Sequence, residues 1–231
     1  MDSNIASYVL QDAGIFIEAA LVLYLAWSSQ WKRQGAVAFY LTSLLVAQLT
    51  RACVLHEFGL ASLRYYYVYW STDFLLVISA FLAVCLFFRR VCLREEKKWR
   101  LIRFLLVFLS VLVVVISGLS LSLNLNDFFT YFIIAFNQNL YFTCLVLNTL
   151  LYLLLQYIDS TDDQLGLLVC GVGFQFAGPT ATLALLHLTA GVRFAQSLTF
   201  SVMPLCTFGM LLLWGYAIVH VKDEATQVSP A

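Results

Sequence analysis

Three ionisable residues stand inside otherwise apolar stretches of the chain: Glu18, Arg51 and Asp73. A charged side chain within hydrocarbon costs about 2.5–3.5 kcal/mol on insertion scales, and such residues characteristically pair with one another or mark a functional site. One guanidinium fork can serve two carboxylates, so a Glu18–Arg51–Asp73 grouping would offset the burial of all three. With His56, Glu57 and His187 at its rim, the grouping has what is needed to bind a polar ligand head or to move a proton. Two amides extend the set. Asn137 belongs to the series Asn137, Tyr141, Cys144, Asn148 and Tyr152, whose offsets of 0, 4, 7, 11 and 15 predict one inward helical face. Gln175 belongs to Gly171, Gln175, Gly178 and Thr182, a small-residue series suited to close packing of one helix on another.

The elements that must hold these residues follow from composition. Of 231 residues, 62% are hydrophobic and 11% charged, with a mean hydropathy of +0.87. Soluble domains carry about 45–50% apolar and about 25% charged residues, so a soluble globular protein is excluded. Thirteen basic residues balance thirteen acidic ones, which leaves no excess for nucleic acid. A helix crosses a core of about 30 Å with about 20 apolar residues. Seven such runs are predicted, at 13–29, 36–55, 69–88, 101–121, 128–158, 165–190 and 197–221. Their continuous apolar character excludes a barrel of alternating strands. The expected fold is an all-α, polytopic integral membrane bundle of seven transmembrane helices forming a single domain over residues 1–231. Pro179 and Pro204 fall within the sixth and seventh spans, which are expected to kink there.

Direction follows from the basic residues, which collect on cytoplasmic loops. With the N-terminus outside and the C-terminus in the cytoplasm, the inner side holds Lys32, Arg33, Arg89, Arg90, Arg94, Lys97, Lys98, Arg100, Arg103 and Lys222. The outer side then holds only Arg51, Arg64 and Arg193. The acidic Asp159, Asp162 and Asp163 weigh little in this rule. The first twelve residues lack Lys and Arg, so the first span is expected to be retained rather than cleaved as a signal peptide. Trp27, Trp31, Trp70, Trp99, Tyr65, Tyr66, Tyr67 and Tyr69 lie near span ends, where they would sit at the headgroup level. Beyond the lipid bilayer, the loop 89–103 is expected to meet anionic headgroups or a cytoplasmic protein partner.

Several chemistries are excluded. The four lysines, Lys32, Lys97, Lys98 and Lys222, lie at or beyond span ends, so no seventh-helix Schiff base to retinal is available. Six cysteines are scattered without a C-x-x-C, and three histidines are few for haem. No phosphate-binding loop or nucleophile elbow occurs in a suitable context. No cofactor and no metal are expected. Without a complete acid-base constellation, binding of a small amphipathic or lipid-like ligand in an outer polar pocket is expected rather than its transformation.

The span pattern and direction resemble those of the seven-helix sensor modules of bacterial histidine kinases. The run Tyr65, Tyr66, Tyr67, Val68, Tyr69 and Trp70, followed by Asp73, is similar to a tyrosine-rich motif in uncharacterised bacterial seven-helix membrane proteins. The resemblance implies a bacterial inner membrane and a sensor or receptor role. The segment after Val221 is too short for an output domain, so a signal would pass to a separate partner. Fungal membrane-embedded terpene cyclases resemble the chain in length and helix count, with Glu18, Glu57 and Asp73 as candidate proton donors. The seventh span lacks the acidic residue that family is expected to carry. A structural subunit of a membrane complex is the remaining alternative.

Overall fold

The computed structural model describes residues 2–28, 34–59, 62–92, 96–121, 128–158, 162–188 and 193–219, and these are helical with no strand. The helices are α1 (Asp2–Trp27), α2 (Gly35–Phe58), α3 (Leu63–Cys92), α4 (Glu96–Leu121), α5 (Phe128–Tyr157), α6 (Asp163–Leu188) and α7 (Arg193–Val219). Among the described residues, six stretches are long and apolar enough to cross a membrane: Gly35–Phe58, Leu63–Cys92, Trp99–Leu119, Phe132–Tyr157, Asp163–Thr182 and Val202–Val219. The apolar part of α1, Ala13–Trp27, is shorter. At 1.5 Å per residue it reaches about 22 Å, against a core of about 30 Å. Trp31, Lys32, Arg33, Arg94, Asp159 and Lys222 lie outside the described residues, as do the side chains of Lys97, Lys98, His187 and Arg193.

Polar punctuation sets where helices begin and end. Gly59 closes α2 at φ +72°, a left-handed conformation that glycine adopts without a Cβ clash, and its N–H donates to the Leu55 carbonyl at 2.9 Å. Ser62 Oγ then accepts the Tyr65 N–H at 3.1 Å, an N-cap that starts α3 at Leu63 rather than at the expected residue 69. The aromatic run therefore forms the first two turns of α3. Its rings meet at helical spacing, with centroids 6.3 Å apart for Tyr65 and Tyr69 and 6.2 Å for Tyr66 and Trp70. Asp162 Oδ1 likewise accepts the Leu165 N–H at 3.0 Å and caps α6. Helices α6 and α7 run on through Pro179 and Pro204.

Contacts divide the chain into two compact units, Glu18–Cys144 and the combination of Met1–Ile17 with Leu145–Ala231. In the first of these α2 packs on α3 and α3 on α4. Buried Leu41, Leu44 and Ala47 of α2 and Val77, Ala80, Val84 and Phe87 of α3 recur at three- and four-residue spacing. Among the described side chains of α4, Leu106, Val113 and Ser117 are buried, while many of its apolar residues, Phe104, Phe108, Val111 and Val115 among them, are exposed. Ser117 Oγ accepts a hydrogen bond from Asn139 Nδ2 of α5 at 3.1 Å.

In the other unit α6 and α7 run antiparallel along a small-residue seam. Trp214 Nε1 donates to the Leu168 carbonyl at 2.9 Å, and Gln164 Nε2 to the Ala217 carbonyl at 3.1 Å. A Cβ at Gly171 would stand 2.6 Å from Trp214 Cδ1, and one at Gly178 would stand 2.7 Å from Cys206 Sγ. Only glycine permits this approach, so the packing role expected for Gly171 and Gly178 is met. Asn148 Nδ2 of α5 donates to the Val169 carbonyl at 3.1 Å. The inward face expected for α5 holds for Asn137, Cys144 and Asn148, all buried, and fails for Tyr152, which is 44% exposed. At about 100° per residue, an offset of 15 has drifted about 60° from the first position.

Candidate functional site

Within Glu18–Cys144, helices α1, α2, α3 and α5 bring polar side chains into two hydrogen-bonded groups that share α2. Arg51 anchors one of them. Its Nε donates to Thr72 Oγ1 at 2.7 Å, and its Nη2 reaches Asp73 Oδ1 at 3.4 Å and the Tyr69 carbonyl at 3.3 Å. The guanidinium carbon lies 4.4 Å from the centroid of the Tyr69 ring, within cation–π range. Thr72 can accept from Arg51 because its own proton goes back to the Val68 or Tyr69 carbonyl, at 2.8 and 2.9 Å. Asn137 Nδ2 of α5 donates to Asp73 Oδ2 at 2.7 Å. Phe74 and Phe136, with ring centroids 4.9 Å apart and planes tilted by 46°, hold α3 and α5 together beside this bond.

Gln48 and Glu18 form the second group. Gln48 precedes Arg51 by three residues and so lies on the same side of α2. Its Nε2 donates to Glu18 Oε1 of α1 at 2.9 Å. Glu18 is fully covered, and its second oxygen, Oε2, has no hydrogen-bond partner among the described residues. Asn137 Oδ1 is in the same condition.

The expected grouping of one arginine with two carboxylates therefore resolves differently. The ion pair among the described residues joins Arg51 to Asp73, and Glu18 is held by a neutral amide. Gln48 and Thr72 were not singled out by sequence, because neither is charged and neither was traced in a helical series like those that marked Asn137 and Gln175. The available signal was the three-residue spacing between Gln48 and Arg51, and the adjacency of Thr72 to Asp73. The Arg51–Asp73 contact is long for an N–H···O bond, and each side chain is 21% exposed, so this end of the set meets the surface.

His56 and Glu57 are exposed on the last turn of α2, outside both groups. Helix α2 continues unbroken past Arg51 and carries them about 7–9 Å further along its axis. Gln175 lies on α6 in the other unit, half-buried, with Oε1 lacking a hydrogen-bond partner. His187 is also on α6, its side chain outside the described residues. Among the described residues no group of three or more His, Cys, Asp or Glu side chains gathers as a metal site would require.

The arrangement can hold a charged or polar head by redistributing side-chain hydrogen bonds. Every contact within it except the Tyr69 carbonyl bond and the Thr72 back-bonds is side chain to side chain, so both partners can rotate to accept a third. Compared with family models, curated proteins and solved structures, the chain matches none.

Proposed function

We propose that the chain is an integral membrane protein of a bacterial inner membrane, with seven spans, the N-terminus outside and the C-terminus in the cytoplasm. It acts as a receptor- or sensor-like module that binds a small amphipathic or lipid-like molecule at Glu18, Gln48, Arg51, Asp73 and Asn137. The observation that carries this reading is the fully buried Glu18 with an unpartnered carboxyl oxygen, held by Gln48 of the helix that also carries the arginine of the Arg51–Asp73 pair, in a chain that is otherwise overwhelmingly apolar. Such a group destabilises the fold that contains it, and groups of that kind are characteristic of binding sites. The resemblance to seven-helix sensor modules supports the same role. The outer rim of aromatic residues on α3 lies close to the set, since Tyr69 itself contacts Arg51.

Native mass spectrometry and lipid extraction of the purified protein test this. A specific co-purifying amphiphile is expected in the wild type and is expected to be lost in Arg51→Ala. Turnover of a terpenoid by the same preparation, or a stoichiometric protein partner with no small molecule, would overturn it in favour of an enzyme or a complex subunit. Direction is tested by labelling of cysteines introduced as Arg94→Cys and Ser160→Cys. Both are expected to react only from the cytoplasmic side, and reaction from the outside would reverse the assignment.

A further inference from the structure

Glu18 is fully covered, and among the described residues no basic side chain pairs with it; the ion pair there joins Arg51 to Asp73. Burying a carboxylate without a cation costs far more than burying the acid, so Glu18 keeps its proton. The atom that faces Oε1 is the Gln48 amide nitrogen, a donor, at 2.9 Å. Oε1 is therefore the carbonyl oxygen of the acid, and the proton sits on Oε2, which has no partner. What Glu18 lacks is an acceptor. Side-chain atoms left the same way elsewhere are the amide oxygens of Asn137, Asn148, Gln164 and Gln175, which lack a donor instead, and the hydroxyls of Ser28 and Thr180. A hydroxyl on Cβ needs one rotamer change to reach a carbonyl of the preceding turn, whereas the Glu18 carboxyl is committed to α2 by Gln48.

We propose that this O–H is the donor for an uncharged carbonyl, a ketone or ester oxygen, carried on the apolar body of the ligand. The inference rests on the ligand-binding reading and names the chemistry of its Glu18–Gln48 part. The surroundings suit such a head. Leu21 and Leu25, three and seven residues further along α1, and Leu41 and Leu44, seven and four residues before Gln48 on α2, are buried on the helical faces that carry the two polar residues. One donor among apolar side chains is satisfied by one acceptor on an apolar molecule. A water at the same place would need about two to four polar partners. An alcohol would bring a proton of its own that needs a second acceptor, and an ammonium or a carboxylate would bury a charge against a neutral acid. Since Glu18 is fully covered, entry displaces a neighbour, and Gln48, half-buried and held through its one side-chain bond to Glu18, can turn aside to admit the head.

The test uses the full chain in neutral maltoside micelles, with thermal unfolding followed by tryptophan fluorescence. The probes share an alkyl tail and differ in the head: undecyl methyl ketone, undecyl methyl carbinol, tridecane, dodecylammonium and dodecanoate. The ketone is expected to raise the midpoint saturably, with half-saturation at roughly tenfold lower concentration than the others. Glu18→Gln is expected to keep that preference, because its amide offers a neutral donor at the same place, and Glu18→Met to lose it. Should Glu18→Met fail to fold, Glu18→Leu is read instead, with the same loss. Infrared difference spectroscopy gives a second reading: a protonated-carboxyl C=O band present in the wild type, absent from Glu18→Gln and shifted when the ketone binds. A carbinol or charged probe as effective as the ketone, a ketone preference lost in Glu18→Gln or kept in Glu18→Met, the absence of that infrared band, or no saturable response while an amphiphile still co-purifies overturns this inference and leaves the ligand-binding reading intact. No saturable response to any probe, together with no co-purifying amphiphile, overturns both.

Discussion

The α6–α7 seam and the polar set of α1, α2, α3 and α5 both bury polar side chains, and they satisfy them with different kinds of partner. In the seam, Trp214 and Gln164 donate to backbone carbonyls, and a glycine lies where a side chain would collide. A carbonyl within a helix cannot turn away, so each bond requires only one side chain to be held. In the polar set, Gln48 bonds Glu18, Arg51 bonds Thr72 and Asp73, and Asn137 bonds Asp73. Both ends of those bonds can rotate. The seam is held at a fixed partner, whereas the bonds of the set can be redrawn by rotation of either side chain.

The largest effects are therefore expected in the seam. Trp214→Ala, which empties a fully buried ring site and deletes the bond to Leu168, should cost about 3–5 kcal/mol. Gly171→Ala should cost about 1–3 kcal/mol, because the added Cβ meets a buried indole with no room to retreat. Gly166→Ala, with nothing within 4 Å of the added Cβ, should fall within about 0.5 kcal/mol of wild type. Unfolding by sodium dodecyl sulfate in mixed micelles measures all three, and a Gly171→Ala as stable as Gly166→Ala would remove the distinction between the regions.

A smaller effect is expected across the Arg51–Asp73 pair. At 3.4 Å and one-fifth exposed, its coupling in a double-mutant cycle of Arg51→Met and Asp73→Asn should be about 1 kcal/mol or less. A coupling of about 3 kcal/mol or more would make the set as rigidly built as the seam. The smallest effects belong to His56→Gln and Glu57→Gln. Both residues are exposed and outside the bonded groups, so stability and amphiphile binding should stay within about 0.5 kcal/mol of wild type. A loss of binding in either variant would extend the site along α2.

Parts of this contrast were legible before any coordinates. Offsets of three and four residues put Gly171 and Gly178 on one face of α6, and the cost of an intramembrane charge singled out Glu18, Arg51 and Asp73. Helix starts were less legible. The aromatic run was expected to precede a helix beginning at residue 69, and Ser62 starts α3 six residues earlier by accepting the Tyr65 N–H. Hydropathy windows miss such caps because one hydroxyl barely changes an average over twenty residues. The extension of α1 back to Asp2 was missed for the same reason, since its first turns are polar and helical.

By itself the sequence determined that the chain is helical and apolar, where most helices run, and which few ionisable groups are embedded in them. These are properties of composition and of a period along one chain. Only the tertiary structure decided that Arg51 takes Asp73, that Glu18 takes Gln48, and that one oxygen of Glu18 is left over. Which partner wins depends on the rotation and depth of one helix against its neighbour, and a helical period is blind to both. Gln48 and Thr72 were missed for a further reason: neither is charged, and neither was traced in a helical series of the kind that marked Asn137 and Gln175.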